Sequence, residues 1–221
     1  MTAAAWTSAE IPPEAASVLK FWFGDPETAS GTALIERQQG LWWQGSPKTD
    51  AEIQQRFSDL LDAAARDELR HWADTPWGRL ALVIVCDQFP RNIYRGTARA
   101  FAWDGRAQQL TLQGVGLDHH VQLPPEFRSF LLMPLMHSEQ LPHHDRCVEL
   151  FEEMVGECER AGQQGLVEKV RGYLQFEHRH RDLIARFGRY PYRNSAMGRD
   201  STPEEQAYVA SGGDSFGQGE S

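Results

Sequence analysis

Apolar residues recur at three- and four-residue spacing along almost the whole chain, a period that predicts helices rather than strands. Val18, Leu19, Phe21 and Trp22 form the apolar side of a first helix opened by Pro12 and Pro13. Gly24 and Pro26 stop it, because glycine suits a helix end and proline cannot continue one. A second helix carries Leu34, Leu41 and Trp42 and ends at Gly45-Ser46-Pro47. Thr49 with Glu52 reads as a capping box, followed by Ile53, Phe57, Leu60, Leu61 and Ala64 on one face. Thr75-Pro76 is an N-cap with proline behind it, and opens a helix that is apolar nearly all round through Cys86. Such a helix must be buried on several sides. Leu80–Cys86 would also suit a buried strand, but the cap and the helical neighbours favour helix. Pro90 then predicts a break around Asp87–Phe89.

Further helices follow from Asp104, read as a cap, to about Gly116, and from Pro125, with an interruption at Pro134. Val148, Phe151, Val155 and Cys158 mark another, and the last long one runs from about Gln164 to Phe187, closed by Gly188. Thr202-Pro203-Glu204-Glu205 starts a short final helix. No stretch alternates as a strand does. Short connections between helices imply antiparallel neighbours and an all-α fold, either a TPR-like superhelix of helix hairpins or a compact bundle. The expected organisation is one domain over residues 1–211 and a flexible Gly/Ser/acidic tail over 212–221.

Charge narrows the function classes. A net charge of −9 disfavours nucleic-acid and anionic-membrane binding, which need basic surface. No apolar run reaches the roughly 20 residues of a spanning helix. The start, "MTAAAWTSAEIPPE", lacks the basic and apolar regions of a secretory leader, so a cytoplasmic location is expected. Cys86, Cys147 and Cys158 lie inside apolar patterns and read as buried thiols of a reducing compartment. Nothing in the chain fixes an oligomeric state.

Candidate chemistry gathers at helix ends. "DQFPRN" (87–92) and "RYPYRN" (189–194) share a grammar: an aromatic, a proline, then Arg-Asn. Either these side chains satisfy orphan carbonyls, or both turns feed one cavity in which arginine grips an anion. On the last long helix Leu166, Val170, Tyr173, Glu177, His180, Ile184 and Phe187 form one stripe, so Glu177 and His180 sit where apolar residues are expected. They are either a satisfied internal pair or part of a pocket lining. A di-metal bundle would need a second Glu-x-x-His, which is absent, so no metal and no cofactor is expected. In "MHSEQLPHHD" (136–145), His137 and Glu139 converge only if a helix ends there; His143 and His144 read as exposed loop.

"FWFGDP" (21–26), "GRLALVIVCDQFPRNIYRGTARAFAWD" (78–104), "LLMPLMHSEQ" (131–140), "HRDLIARFGRYPYRN" (180–194) and "GRDSTPEE" (198–205) resemble a bacterial domain family of unknown function, DUF924. The resemblance spans nearly the whole chain and implies an all-helical, TPR-like fold; it brings no reaction and no catalytic residues. Met136 stands where the family commonly has an acid, and Tyr192 where a histidine is common.

Taken together, these features predict a pocket for a polar or anionic small molecule with acid–base, hydrolase-like chemistry. His137 or His180 is the expected proton-transfer group, oriented by Asp87 or Glu139. Gln88, Arg91, Asn92, Glu177, Arg193 and Asn194 are the expected binding residues. The rival expectation is a helical scaffold presenting a groove to a peptide or protein.

Overall fold

The computed structural model describes residues 11–25 and 29–217. Pro26, read above as part of a helix stop, lies outside the described residues, as do the first ten residues and 218–221. Among the described residues there are helices and no strands. In chain order they are α1 (Pro13–Phe23), α2 (Gly31–Trp43), α3 (Pro47–Ala65), α4 (Pro76–Val83), α5 (Phe89–Ile93), α6 (Asp104–Gly116), α7 (Pro125–Met136), α8 (Leu141–Arg160), α9 (Gln164–Phe187) and α10 (Pro203–Ala210). Among the described residues no helix is long and apolar enough to cross a membrane.

Helix α7 is the axis of the molecule. Every residue from Glu126 to Met136 is buried, and α2, α4, α6, α8 and α9 all pack on it. Aromatic side chains from α1, α2, α3, α5 and α7 interlock beside it: Phe23 meets Phe127 and Phe130 edge-on at 4.9 and 5.3 Å, and Trp42 meets Phe130 at 4.6 Å. α8 and α9 form a hairpin, with Gly162 at φ 66° in the turn. Thr75 caps α4 by accepting from the Gly78 N–H. Gly78 is required there, since a Cβ would stand 2.2 Å from the Trp72 carbonyl oxygen.

Several sequence expectations are corrected. The helix does not break at Asp87–Phe89. It continues through a π turn, Ile84–Gln88, into α5. The Phe89 N–H bonds the Ile84 carbonyl five residues back, and Pro90 falls in the first turn of α5, where a missing N–H costs least. Pro134 does not interrupt α7, which runs to Met136. The cap of α3 is Ser46, accepting from the Thr49 N–H, rather than Thr49. Asp104 is the first residue of α6, and its carboxylate turns inward instead of capping. Within the stretch expected as a tail, Asp214 pairs with Arg179, its N–H bonds the Tyr208 hydroxyl, and Phe216 stacks on His180.

Candidate functional site

The π turn adds a residue to one helical turn and so decides which side chains face inward. Asp87 is fully buried there. Its Oδ1 lies 2.8 Å from His137 Nδ1 and 3.3 Å from Arg91 Nη1, and its Oδ2 accepts from Gln88 Nε2 at 2.6 Å. Arg91 Nη1 also donates to the Asp87 carbonyl at 2.7 Å, and the same guanidinium meets both oxygens of Asp104 at 2.8 and 3.0 Å. Arg193 Nη1 reaches Asp104 Oδ2 at 3.3 Å, with its guanidinium 4.6 Å from the Phe101 ring and 4.4 Å from that of Tyr190. "DQFPRN" and "RYPYRN" therefore do meet in space, through Asp104, which the sequence reading took for a cap.

A cavity of about 880 Å³ opens beside this chain of charges. His137, His180, Gln88, Arg91 and Asn92 line its polar part, and Trp42, Trp43, Tyr173, Phe176, Tyr192 and Phe216 its aromatic part. The two imidazoles are 6.5 Å apart between centroids. Met136 and Tyr192 also line it.

Electrostatics set the protonation states. Burial pushes the Asp87 carboxyl up, but Arg91, His137 and Gln88 more than reverse this and hold it well below the usual carboxylate range. Being ionised, Asp87 only accepts, so His137 Nδ1 carries the proton and Nε2 keeps a lone pair. Burial lowers His137 below the ordinary histidine value, and Arg91 adds to the effect against the pull of Asp87. His180 is driven well below that value, chiefly by burial. Its Nδ1 faces the Phe176 carbonyl at 2.8 Å, which again leaves the Nε2 lone pair available.

The other expected site residues lie apart from the cavity. Glu139 accepts from Arg199 at 2.6 and 3.0 Å and from the Tyr190 N–H at 3.0 Å, so it braces two loops. Asn194 donates to Ser201 Oγ at 3.0 Å and Glu205 at 3.3 Å. Arg193 is buried under aromatic rings and does not line the cavity. Neither arginine offers an unpaired charge to an anion, since Asp104 engages both. His144, expected in an exposed loop, is fully buried in the first turn of α8, and His143 there lies 2.8 Å from Ser138 Oγ. Cys86 is buried, and burial pushes its thiol up to about 12, so it is no nucleophile.

Glu177 faces away from the cavity into a second buried pair. Its Oε1 is 2.7 Å from His144 Nδ1, and His144 Nε2 is 2.8 Å from the Ser138 carbonyl. A carbonyl only accepts, so Nε2 carries a proton. Burial raises the Glu177 carboxyl above its ordinary value, His144 opposing, and a protonated Glu177 would donate to Nδ1. Glu177→Gln, which also donates, should then keep stability within about 1 kcal/mol of wild type, whereas Glu177→Ala should lose about 1–3 kcal/mol. Equal destabilisation in urea titrations of the two variants would point to a carboxylate instead.

Residues missed in the sequence are Asp104, His144 and the aromatic lining. Tyr173, Phe176 and His180 follow helical spacing on one face of α9, a signal equally compatible with core. Among the described residues no group of three or more His, Cys, Asp or Glu is placed to hold a metal ion.

A family model described as a bacterial protein of unknown function, DUF924, matches residues 18–213. The chain belongs to that family. The match takes in α2 to α10 whole and thus every element that lines the cavity up to Gly213. The solved structure of a protein of unknown function from Agrobacterium tumefaciens is similar, with 30% sequence identity and a TM-score of 0.71, covering 89% of this chain and 97% of that one. No curated protein matches. Membership of DUF924 thus fixes the fold, while the chemistry has to be read from the side chains.

Proposed function

We propose that this protein is an acid–base enzyme acting on a polar small molecule in the cavity, with hydrolysis as the reaction class. The observation that carries this reading is the Asp87–His137 pair: a buried, ionised carboxylate holding one nitrogen of an imidazole that lines the cavity. Asp87 orients the ring and balances the charge it gains; His137 Nε2 takes a proton from a water or hydroxyl. His180 supplies a second acceptor close by. This proton transfer is available from the chain's own groups. Titratable side chains converging on one cavity favour an enzyme over the scaffold alternative, which predicts an open groove without them.

The test is product detection by mass spectrometry on a panel of esters, amides and phosphate esters, comparing wild type with His137→Gln. Turnover lost in the variant is the expected result; equal turnover in both overturns the assignment. The pH profile gives a second readout. Because the His137 pKa is depressed, the base stays deprotonated as pH falls through the ordinary histidine value of about 6.5. The rate should decline only in more acidic buffer, and an acid limb centred above pH 7 would contradict this.

A further inference from the structure

The polar end of the cavity is made of side chains whose donors point inward. Gln88 directs its amide nitrogen to Asp87 Oδ2 at 2.6 Å and Met133 Sδ at 3.2 Å, which leaves its oxygen. His137 gives its Nδ1 proton to Asp87, and His180 gives its own to the Phe176 carbonyl. Among the described residues neither Nε2 has a partner at hydrogen-bond distance. Three acceptors from three different elements therefore remain for a ligand, and no donor from the same three side chains.

The cations that line the cavity do not reverse this pattern. Arg91 is engaged by Asp87 and Asp104, Arg95 by Asp50 at 3.2 Å, and Lys169 by Glu36 at 3.7 Å. Only the Arg91 pairs are buried, so an anion at the polar end would have to displace a carboxylate there, while Arg95 and Lys169 sit in part-exposed pairs that hold their partners weakly. Away from this end the wall is aromatic, and two of its members are left exposed, Trp43 at 49% and Phe176 at 37%. Side chains of that size on a cavity wall are unfinished apolar surface. Along α9 the lining runs from Glu168 to His180, a span of about 18 Å at the helical rise per residue.

We infer that the cavity takes an amphipathic, neutral or positively charged ligand. Its hydroxyl or ammonium head donates hydrogen bonds to Gln88 Oε1, His137 Nε2 and His180 Nε2, and its apolar body lies on the aromatic wall. This rests on the cavity being the ligand site of the proposed function, and it replaces the anionic metabolite expected from sequence. An ammonium gains further from the ring faces, which attract cations. A carboxylate would face those three acceptors, with the second Nδ2 hydrogen of Asn92 as the donor left to it among the neutral side chains of the polar end.

The experiment is calorimetric titration of the full chain at pH 7.5 with 4-phenylbutylamine, 4-phenylbutan-1-ol and 4-phenylbutyrate, which share a body and differ in head. At least one donor head should bind at least tenfold tighter than the carboxylate. His180→Phe, which keeps the ring and removes the acceptor, should erase most of that preference. Trp43→Ala, at an exposed position, should weaken all three heads alike and stands in where His180→Phe does not fold. Carboxylate affinity equal to or above both donors, or saturation by none of the three, overturns the inference. A tight carboxylate together with His137-dependent turnover would sink the ligand class and leave the acid–base reading intact, because one assay reads affinity and the other reads product.

Discussion

Replacing Arg91 with alanine is expected to lower the unfolding free energy by about 3–5 kcal/mol, and the melting temperature by roughly 6–20 °C for a chain of this size. The side chain is buried and sits between Asp87 and Asp104, which are themselves 0% and 9% exposed. Truncation strips a guanidinium from two carboxylates at once and leaves both in a low-dielectric setting. It also frees the Asp87 carbonyl. Arg193→Ala should cost less, about 1–3 kcal/mol, because Asp104 retains Arg91. Thermal melts of the two variants check this order. A loss under about 1 kcal/mol in Arg91→Ala would mean that the residue is held for a ligand and that the brace reading is wrong.

Asp87→Asn is expected to reduce kcat about 10²–10⁴-fold on any substrate the wild type turns over through His137. The carboxylate uses both oxygens as acceptors, one for His137 and Arg91 and the other for Gln88. An amide has only one acceptor atom. With its oxygen toward His137, its NH₂ faces the Gln88 nitrogen, donor against donor. With its NH₂ toward His137, it collides with the Arg91 donors and forces the imidazole proton onto Nε2, where the base was. The first arrangement keeps the tautomer but loses the negative charge that balances the imidazolium, and the second removes the base. Initial rates at saturating substrate measure the loss, and the imidazole nitrogen shifts of His137 report the tautomer. Activity within threefold of wild type, with Nδ1 still protonated, would remove Asp87 from the mechanism.

The two segments 87–92 and 189–194, alike in their arginine and asparagine, play different parts. Arg91 both braces and lines the cavity, Asn92 lines it, while Arg193 and Asn194 only brace. The two segments share one partner, Asp104, which Arg91 and Arg193 both reach. They differ because one follows a π turn beside the cavity and the other a short helical turn beneath tyrosine rings.

Local patterns carried the helices. The caps at Thr75 and Thr202, the left-handed Gly188 at φ 70° and the apolar stripe of α9 all stand where their chemistry placed them. These are interactions between residues a few positions apart, so the order of the chain contains them. His180 as a buried group was legible for the same reason, through its register in an apolar stripe. The partners were not. Asp87 reaches His137 across 50 residues, Arg193 reaches Asp104 across 89, and His144 meets Glu177 across 33. No spacing rule selects among the many carboxylates that each cation could meet at such separations. Burial then amplifies the choice, since a charge removed from water must find its counterion and a neutral imidazole must find its acceptor. Helical periodicity therefore determined which residues lie inside, and only the packing around α7 decided which were paired with one another and which were left facing the cavity.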